Sequence, residues 1–161
     1  MKKLFAILLA VAMMATMSIT AFAADYNTTG DKTTDVTYTV APTYTVTIPQ
    51  DVTINDAGTE KTVSAENVVV LKGQYVSVSL AAENNFVVKT AQGAELTYTV
   101  TKGNTNIVAG GEILAVNPDN GKTGSTEIIF DIDENMIKYA GAYTGTATFT
   151  IAVKSVQIMP R

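Results

Sequence analysis

Val36-Thr37-Tyr38-Thr39-Val40-Ala41-Pro42-Thr43-Tyr44-Thr45-Val46-Thr47-Ile48 places apolar residues or proline at even positions and threonine or alanine at odd ones. Successive side chains leave opposite faces of a pleated strand, so a period of two predicts a β-strand with one buried face and one wet face. Pro42 has no N–H to give to a ladder, so the strand must lie at a sheet edge or break there. A first strand that passes from one sheet to another at Pro42 satisfies both conditions.

The same pattern recurs at short intervals downstream. Strands are expected over Thr62 to Leu71, Tyr75 to Leu80, Phe86 to Lys89 and Glu95 to Thr101, each bounded by turn residues such as Lys72-Gly73 and Gln92-Gly93. Ile107 to Ala109 and Glu112 to Val116 flank Gly110-Gly111, a bulge or tight turn. Ser125 to Ile132 directs Ile128, Phe130 and Ile132 inward, Asp133 to Tyr139 allows one short helical turn, and Tyr143 to Val153 forms a long last strand. Its inward residues are Ala147, Phe149, Ile151 and Val153. No amphipathic helix interrupts the series. Eight or nine short strands rich in valine and threonine predict an all-β fold, an Ig-like antiparallel β-sandwich.

Upstream of the domain the sequence changes character. Lys2 and Lys3 precede an apolar run from Leu4 to Met14, and Ala21-Phe22-Ala23 supplies the small-x-small pattern of a signal-peptidase site. Residues 1–23 are therefore read as a secretory signal peptide, 24–34 as a flexible polar arm and 35–161 as the sandwich domain. The rival reading, an uncleaved membrane anchor, needs about 20 predominantly apolar residues, and Thr16, Ser18 and Thr20 interrupt the run. Removing 23 of the 161 residues leaves 138, a usual size for one domain with its own core.

Composition excludes several function classes. The net charge is −4, and loss of the two leader lysines leaves nine basic against fifteen acidic residues, or −6. Nucleic acid and anionic membranes reward a basic face, so neither is expected as a partner after signal cleavage. Histidine, cysteine and tryptophan are all absent. No Ser-His-Asp or Cys-His arrangement can be built, and nitrogen- or sulfur-ligated zinc has no ligands. Catalysis would have to rest on carboxylates, lysine or tyrosine, and a non-enzyme without catalytic, cofactor-binding or metal residues is the expectation.

Tyr44-Thr45-Val46-Thr47-Ile48-Pro49, followed by Ala65-Glu66-Asn67-Val68 and Lys72-Gly73, is similar to secreted Ig-like domains of Gram-positive bacterial surfaces. Ala140-Gly141-Ala142-Tyr143-Thr144-Gly145, continuing to Ile151, resembles the closing strand of WxL-type and fimbrial, pilin-like sandwiches. The Trp-x-Leu signature and the cysteine pair of fimbrial relatives are missing. The resemblance implies a secreted, cell-surface structural or adhesive role and no particular ligand. Independently of family, Gly141 and Gly145 would permit unusual backbone angles, and Tyr143 can bury its ring while its hydroxyl stays near the surface.

Four further features bear on chemistry. Asp131, Asp133 and Asn135 space oxygens like the start of a calcium loop, but the helix-loop-helix version needs glycine and glutamate where Met136 and Ala142 stand. Asp131 and Glu134 as a glycosidase pair would need a cleft lined by sugar-stacking aromatics. Tyr26, Tyr75 and Tyr139 are candidates for stacking on sugars, which makes an extracellular carbohydrate-binding module the alternative function. Lys89 would suit an internal isopeptide bond with an asparagine only if both were buried. Finally, the arm before Pro42 and the segment Val156 to Met159 can each pair with an exposed sheet edge of a neighbour, so protein partners or self-assembly by strand addition are expected.

Overall fold

The computed structural model describes residues 9–10, 30 and 36–156. The segment read as a signal peptide, apart from Leu9–Ala10, most of the arm including Tyr26, and the C-terminal residues after Val156 lie outside them. Ten strands follow in chain order: β1 (Leu9–Ala10), β2 (Thr43–Thr47), β3 (Thr59–Val69), β4 (Gln74–Leu80), β5 (Val87–Lys89), β6 (Glu95–Lys102), β7 (Thr105–Asn106), β8 (Glu112–Val116), β9 (Gly124–Ile132) and β10 (Phe149–Ser155). Two short 3-10 turns, Pro118–Asn120 and Glu134–Met136, are the helical elements among the described residues. None of these is long and apolar enough to cross a membrane.

The strands form two antiparallel sheets. One has the order β1-β2-β3-β9-β6-β5, with β7 paired to β6, and the other is β10-β4-β8. Between them lies the core. Val63, Ala65, Val100, Ile128 and Phe130 from the first sheet are buried with Val76, Val78, Leu80, Ile113 and Val116 from the second. The architecture is all-β and sandwich-like, as the alternation implies. The rule is visible in β6, where Leu96, Tyr98 and Val100 are buried and Glu95, Thr97 and Thr99 are exposed.

Two ends of the expected pattern differ. The first strand begins at Thr43, not Val36, because β3 ends at Val69, the partner of Thr43, and offers nothing for earlier residues to pair with. Val36 and Tyr38 are each 90% exposed, and Val40 is 56% exposed. The inward series therefore starts only at half-buried Tyr44 and buried Val46. The last strand begins at Phe149, not Tyr143. Residues 143–148 run outside the second sheet as a strap, joined to β5 by the Lys89–Thr144 bridge. Val153, expected inward, is exposed on the edge strand.

The glycine pair also differs in detail. Thr105–Asn106 forms the short strand, and Ile107 to Ala109 does not. Gly110 N–H donates to Leu80 O, and Leu80 N–H donates to Gly111 O, which ties the turn to the end of β4. A Cβ on Gly111 would stand 2.8 Å from Val108 O, so the tight turn needs glycine there. In β3, Asn67 has φ +54° beside a register shift against β2, a bulge for which asparagine is well suited.

Phe130 is 2% exposed and fills the centre of the core, whereas Phe149 is only half-buried. Truncation of Phe130 to alanine should cost ~3–5 kcal/mol, the usual range for a fully buried phenylalanine, and Phe149→Ala less than half of that. Denaturant unfolding of the processed domain reads both values. Equal losses would contradict the partial burial of Phe149.

Candidate functional site

The carboxylates singled out by sequence do not converge. Asp131 is exposed, and its Oδ1 accepts from the N–H of Ile132 at 2.9 Å. Asp133 caps the following 3-10 turn, its Oδ1 accepting from Asn135 N at 3.0 Å and from Asn135 Nδ2 at 2.9 Å. This is the ordinary work of an aspartate at a turn start. Glu134 is exposed in the same turn. Among the described residues no three acidic groups come together in a way that could hold a metal ion.

Lys89 is equally ordinary. Its Nζ lies 2.6 Å from Glu95 Oε1, with both side chains more than half exposed, opposite to the burial an isopeptide bond requires. Tyr75 and Tyr139 line separate depressions, the first with Asn117 and Asn120 and the second with Met136 and Tyr143. They form no common platform for a sugar.

The described surface is hollowed instead on either side of the strap before β10. One groove, of about 810 Å³, is lined by Val52 and Ile54 of the β2–β3 loop, by Phe149, and by Val88, Tyr98 and Phe130 of the core. On the other side a polar groove of about 720 Å³ is lined by Glu83, Asn84, Lys89, Thr90 and strap threonines. Beyond hydroxyls, amides and backbone groups, the polar groove offers Glu83 and Lys89 and the other groove Asp51.

The strap itself is firmly placed. Lys89 N–H donates to Thr144 O at 2.8 Å and Thr144 N–H to Lys89 O at 2.9 Å. Asn84 clamps the far end: its Nδ2 donates to Thr148 O at 2.8 Å, and its Oδ1 accepts from Thr148 N at 2.9 Å. Tyr143 packs its ring against the core and donates its hydroxyl to Tyr139 O at 2.8 Å, as the sequence led us to expect. Gly145 serves by closeness and not by dihedral freedom, since a Cβ there would stand 2.7 Å from Val87 O. Beneath the strap, Phe86 meets Tyr98 edge-on at 5.6 Å, and Tyr98 meets Phe130 at 6.2 Å. Burial pushes the Tyr98 phenol above its usual pKa. Phe86 holds a left-handed φ of +54°, strain that its packing on Tyr98 and its carbonyl's bond to Tyr98 N–H offset.

Sequence reading missed the Asn84 clamp and one electrostatic feature. Glu60 and Glu127 are diagonal neighbours on the outer face of the β3–β9 ladder, where Glu60 opposes Ile129 and Glu127 opposes Thr62. Repulsion by the Glu127 carboxylate, with a hydrogen bond between the two groups, raises the pKa of Glu60 above the ordinary 4.5. Only the strand register reveals this pair.

No protein-family model matches the chain, and no curated protein matches it. Among solved structures it is similar to the P pilus rod subunit PapA, at 15% sequence identity and a TM-score of 0.43. That match covers 68% of this chain and 99% of the other.

Two predictions follow from the geometry. Gly145→Ala should push the strap off β5 and cost about 1–3 kcal/mol, as other overpacked sites do, while Thr146→Ala should be nearly neutral; thermal unfolding compares them. For the acidic pair, the folded chain holds the Glu60 proton more tightly than the unfolded one. Its stabilising contribution is full below the ordinary glutamate pKa and is lost as pH rises through the raised value. Glu127→Gln should flatten this fall in stability, measured by urea unfolding from about pH 4 to pH 7.

Proposed function

We propose that the chain is a secreted, non-catalytic structural or adhesive protein of the bacterial surface, built on an Ig-like sandwich, which assembles with copies of itself by strand addition. The observation that carries this reading is the segment Val36 to Pro42, which follows the arm and precedes β2. Val36, Tyr38 and Val40 stand exposed at every second position of a segment that has no strand partner among the described residues. Extended chain with apolar side chains at every second residue is what a sheet edge accepts from a partner.

That segment is poorly placed to serve its own domain. To fold back on β2 it would have to turn at Ala41-Pro42. A two-residue hairpin turn wants positive φ at its first position, the place of glycine or asparagine, and Ala41 suits it badly. Pairing in trans is the cheaper outcome. A donor segment and an acceptor edge at different places on one chain make a head-to-tail contact, which propagates into a filament unless rotation closes a ring. The absence of histidine and cysteine, the acidic net charge and the signal-peptide pattern are consistent with a building block exported from the cell.

The processed chain, starting at Ala24, should show a mass that rises with concentration in light scattering and fibres in negative-stain electron microscopy. Deletion of 24–40 should leave a monomer with an unchanged unfolding midpoint, and Tyr38→Asp should weaken association in the same direction. A processed chain that stays monomeric at the highest soluble concentration refutes the assembly reading.

A further inference from the structure

A three-stranded sheet set against a wider one leaves part of the sandwich uncovered, and β10 bears the shortfall. Among the described residues that strand pairs with β4 alone. The side chains on its core face are Phe149, Ile151 and Val153. The first two are only half-buried, and Val153 is 39% exposed. Their partners on β4, Leu80, Val78 and Val76, are fully buried. The backbone is open along the same three residues. Ala81 N–H donates to Thr148 O and Val156 N–H to Gly73 O, so the even-numbered residues of this segment bond to β4. Bonding direction alternates along an antiparallel strand, so the N–H and C=O groups of Phe149, Ile151 and Val153 point away from β4. An open row of donors and acceptors beside half-covered apolar side chains is a place for one more strand.

The other edges offer less. Strand β5 is bridged by the strap, Ile113 O of β8 accepts from Lys102 Nζ at 2.7 Å, and the core-facing Val46 of β2 is already buried. We propose that the open edge of β10 receives the segment Val36 to Val40 of a second copy. The segment runs antiparallel, with Val36 opposite Val153, Tyr38 opposite Ile151 and Val40 opposite Phe149. The inference rests on the assembly reading above and adds the receiving edge and its register. Three features select that alignment. It sets each exposed apolar residue of the segment beside one of β10, whereas a slip of two residues leaves Phe149 or Val153 unmatched. It places Asp35, the residue before Val36, opposite Lys154, an opposite-charge pair that a parallel strand would lose. It also puts Pro42 at the next position where the incoming strand would have to donate, so the ladder ends there. Val40, opposite Phe149, then enters the groove beside Val52 and Ile54.

The chain has no cysteine, so introduced thiols report the contact without interference. Thr39 and Thr150 are both exposed, and in this register they face each other as a pair without backbone bonds, about 4.5 Å between Cα atoms and within reach of a disulfide. Processed chain carrying Thr39→Cys is mixed, in a glutathione redox buffer, with processed chain carrying Thr150→Cys or, in parallel, Thr47→Cys on β2. The mixed dimer with Thr150→Cys should form on the order of ten-fold faster than the one with Thr47→Cys. Charge exchange is the second readout. Lys154→Glu should weaken association of the processed chain, and Asp35→Lys added to it should restore association. Light scattering of the unaltered processed chain runs alongside.

An associating chain that links Thr39→Cys to Thr47→Cys as fast as to Thr150→Cys overturns β10 as the acceptor and leaves the assembly reading standing. A Lys154→Glu defect that Asp35→Lys does not repair overturns the antiparallel register. An unaltered chain that stays monomeric refutes assembly, and this inference with it.

Discussion

Everything in this fold depends on one dry contact between two sheets. Phe130, Ile128, Val63 and Val100 press from one side against Val76, Val78, Leu80 and Ile113 on the other, and most of these are fully buried. A fully buried aliphatic or aromatic side chain contributes roughly 1.5–3 kcal/mol relative to exposure, and no disulfide or metal ligand set of nitrogen and sulfur supplements it. Register is therefore set by burial. A slip of one residue in β9 would turn Ile128 and Phe130 to water and bring Glu127 and Ile129 inward, which fixes the β3–β9 ladder without any special turn.

Once that layer is dry, the remaining problem is the perimeter. The strap, and the grooves beside it, show how one edge is handled. The strap closes β5 through two backbone hydrogen bonds at Thr144, and Asn84 anchors it again at Thr148. On the outer face of β4, Ser77 Oγ donates to Glu112 Oε2 at 2.6 Å, and Lys154 completes a charged cross-strand link at 3.4 Å. Ser77 is itself buried, whereas the Lys154–Glu112 pair is exposed and adds little stability. A segment with exposed Val36, Tyr38 and Val40 and an uncharged β2 are departures from the same housekeeping. The assembly proposed above rests on the exposed segment.

Much of this was legible from residues alone. The β6 alternation, the Phe130 strand, the Asp133 turn and the Tyr143 hydroxyl follow from side-chain period and turn chemistry, which are local properties. The errors share a cause. Residues 36–42 and 143–148 alternate as well as any strand does, yet neither belongs to a continuous ladder. Alternation reports that a segment can pleat; it does not report whether a partner is alongside. The roles of Asn84 and Gly145 were hidden for the same reason, since each acts on a segment remote in sequence, Thr148 in one case and Val87 in the other.

Sequence by itself determined the all-β class of fold, most turn positions and the exclusion of histidine- and cysteine-based chemistry, because composition and period are carried by neighbouring residues. Tertiary structure alone decided where β2 and β10 begin, that Glu60 meets Glu127, and that among the described residues the candidate calcium aspartates join no cluster of three acids. Those outcomes depend on which strands lie side by side. Pairing is chosen by the shared burial of the whole sandwich, a quantity no single segment contains.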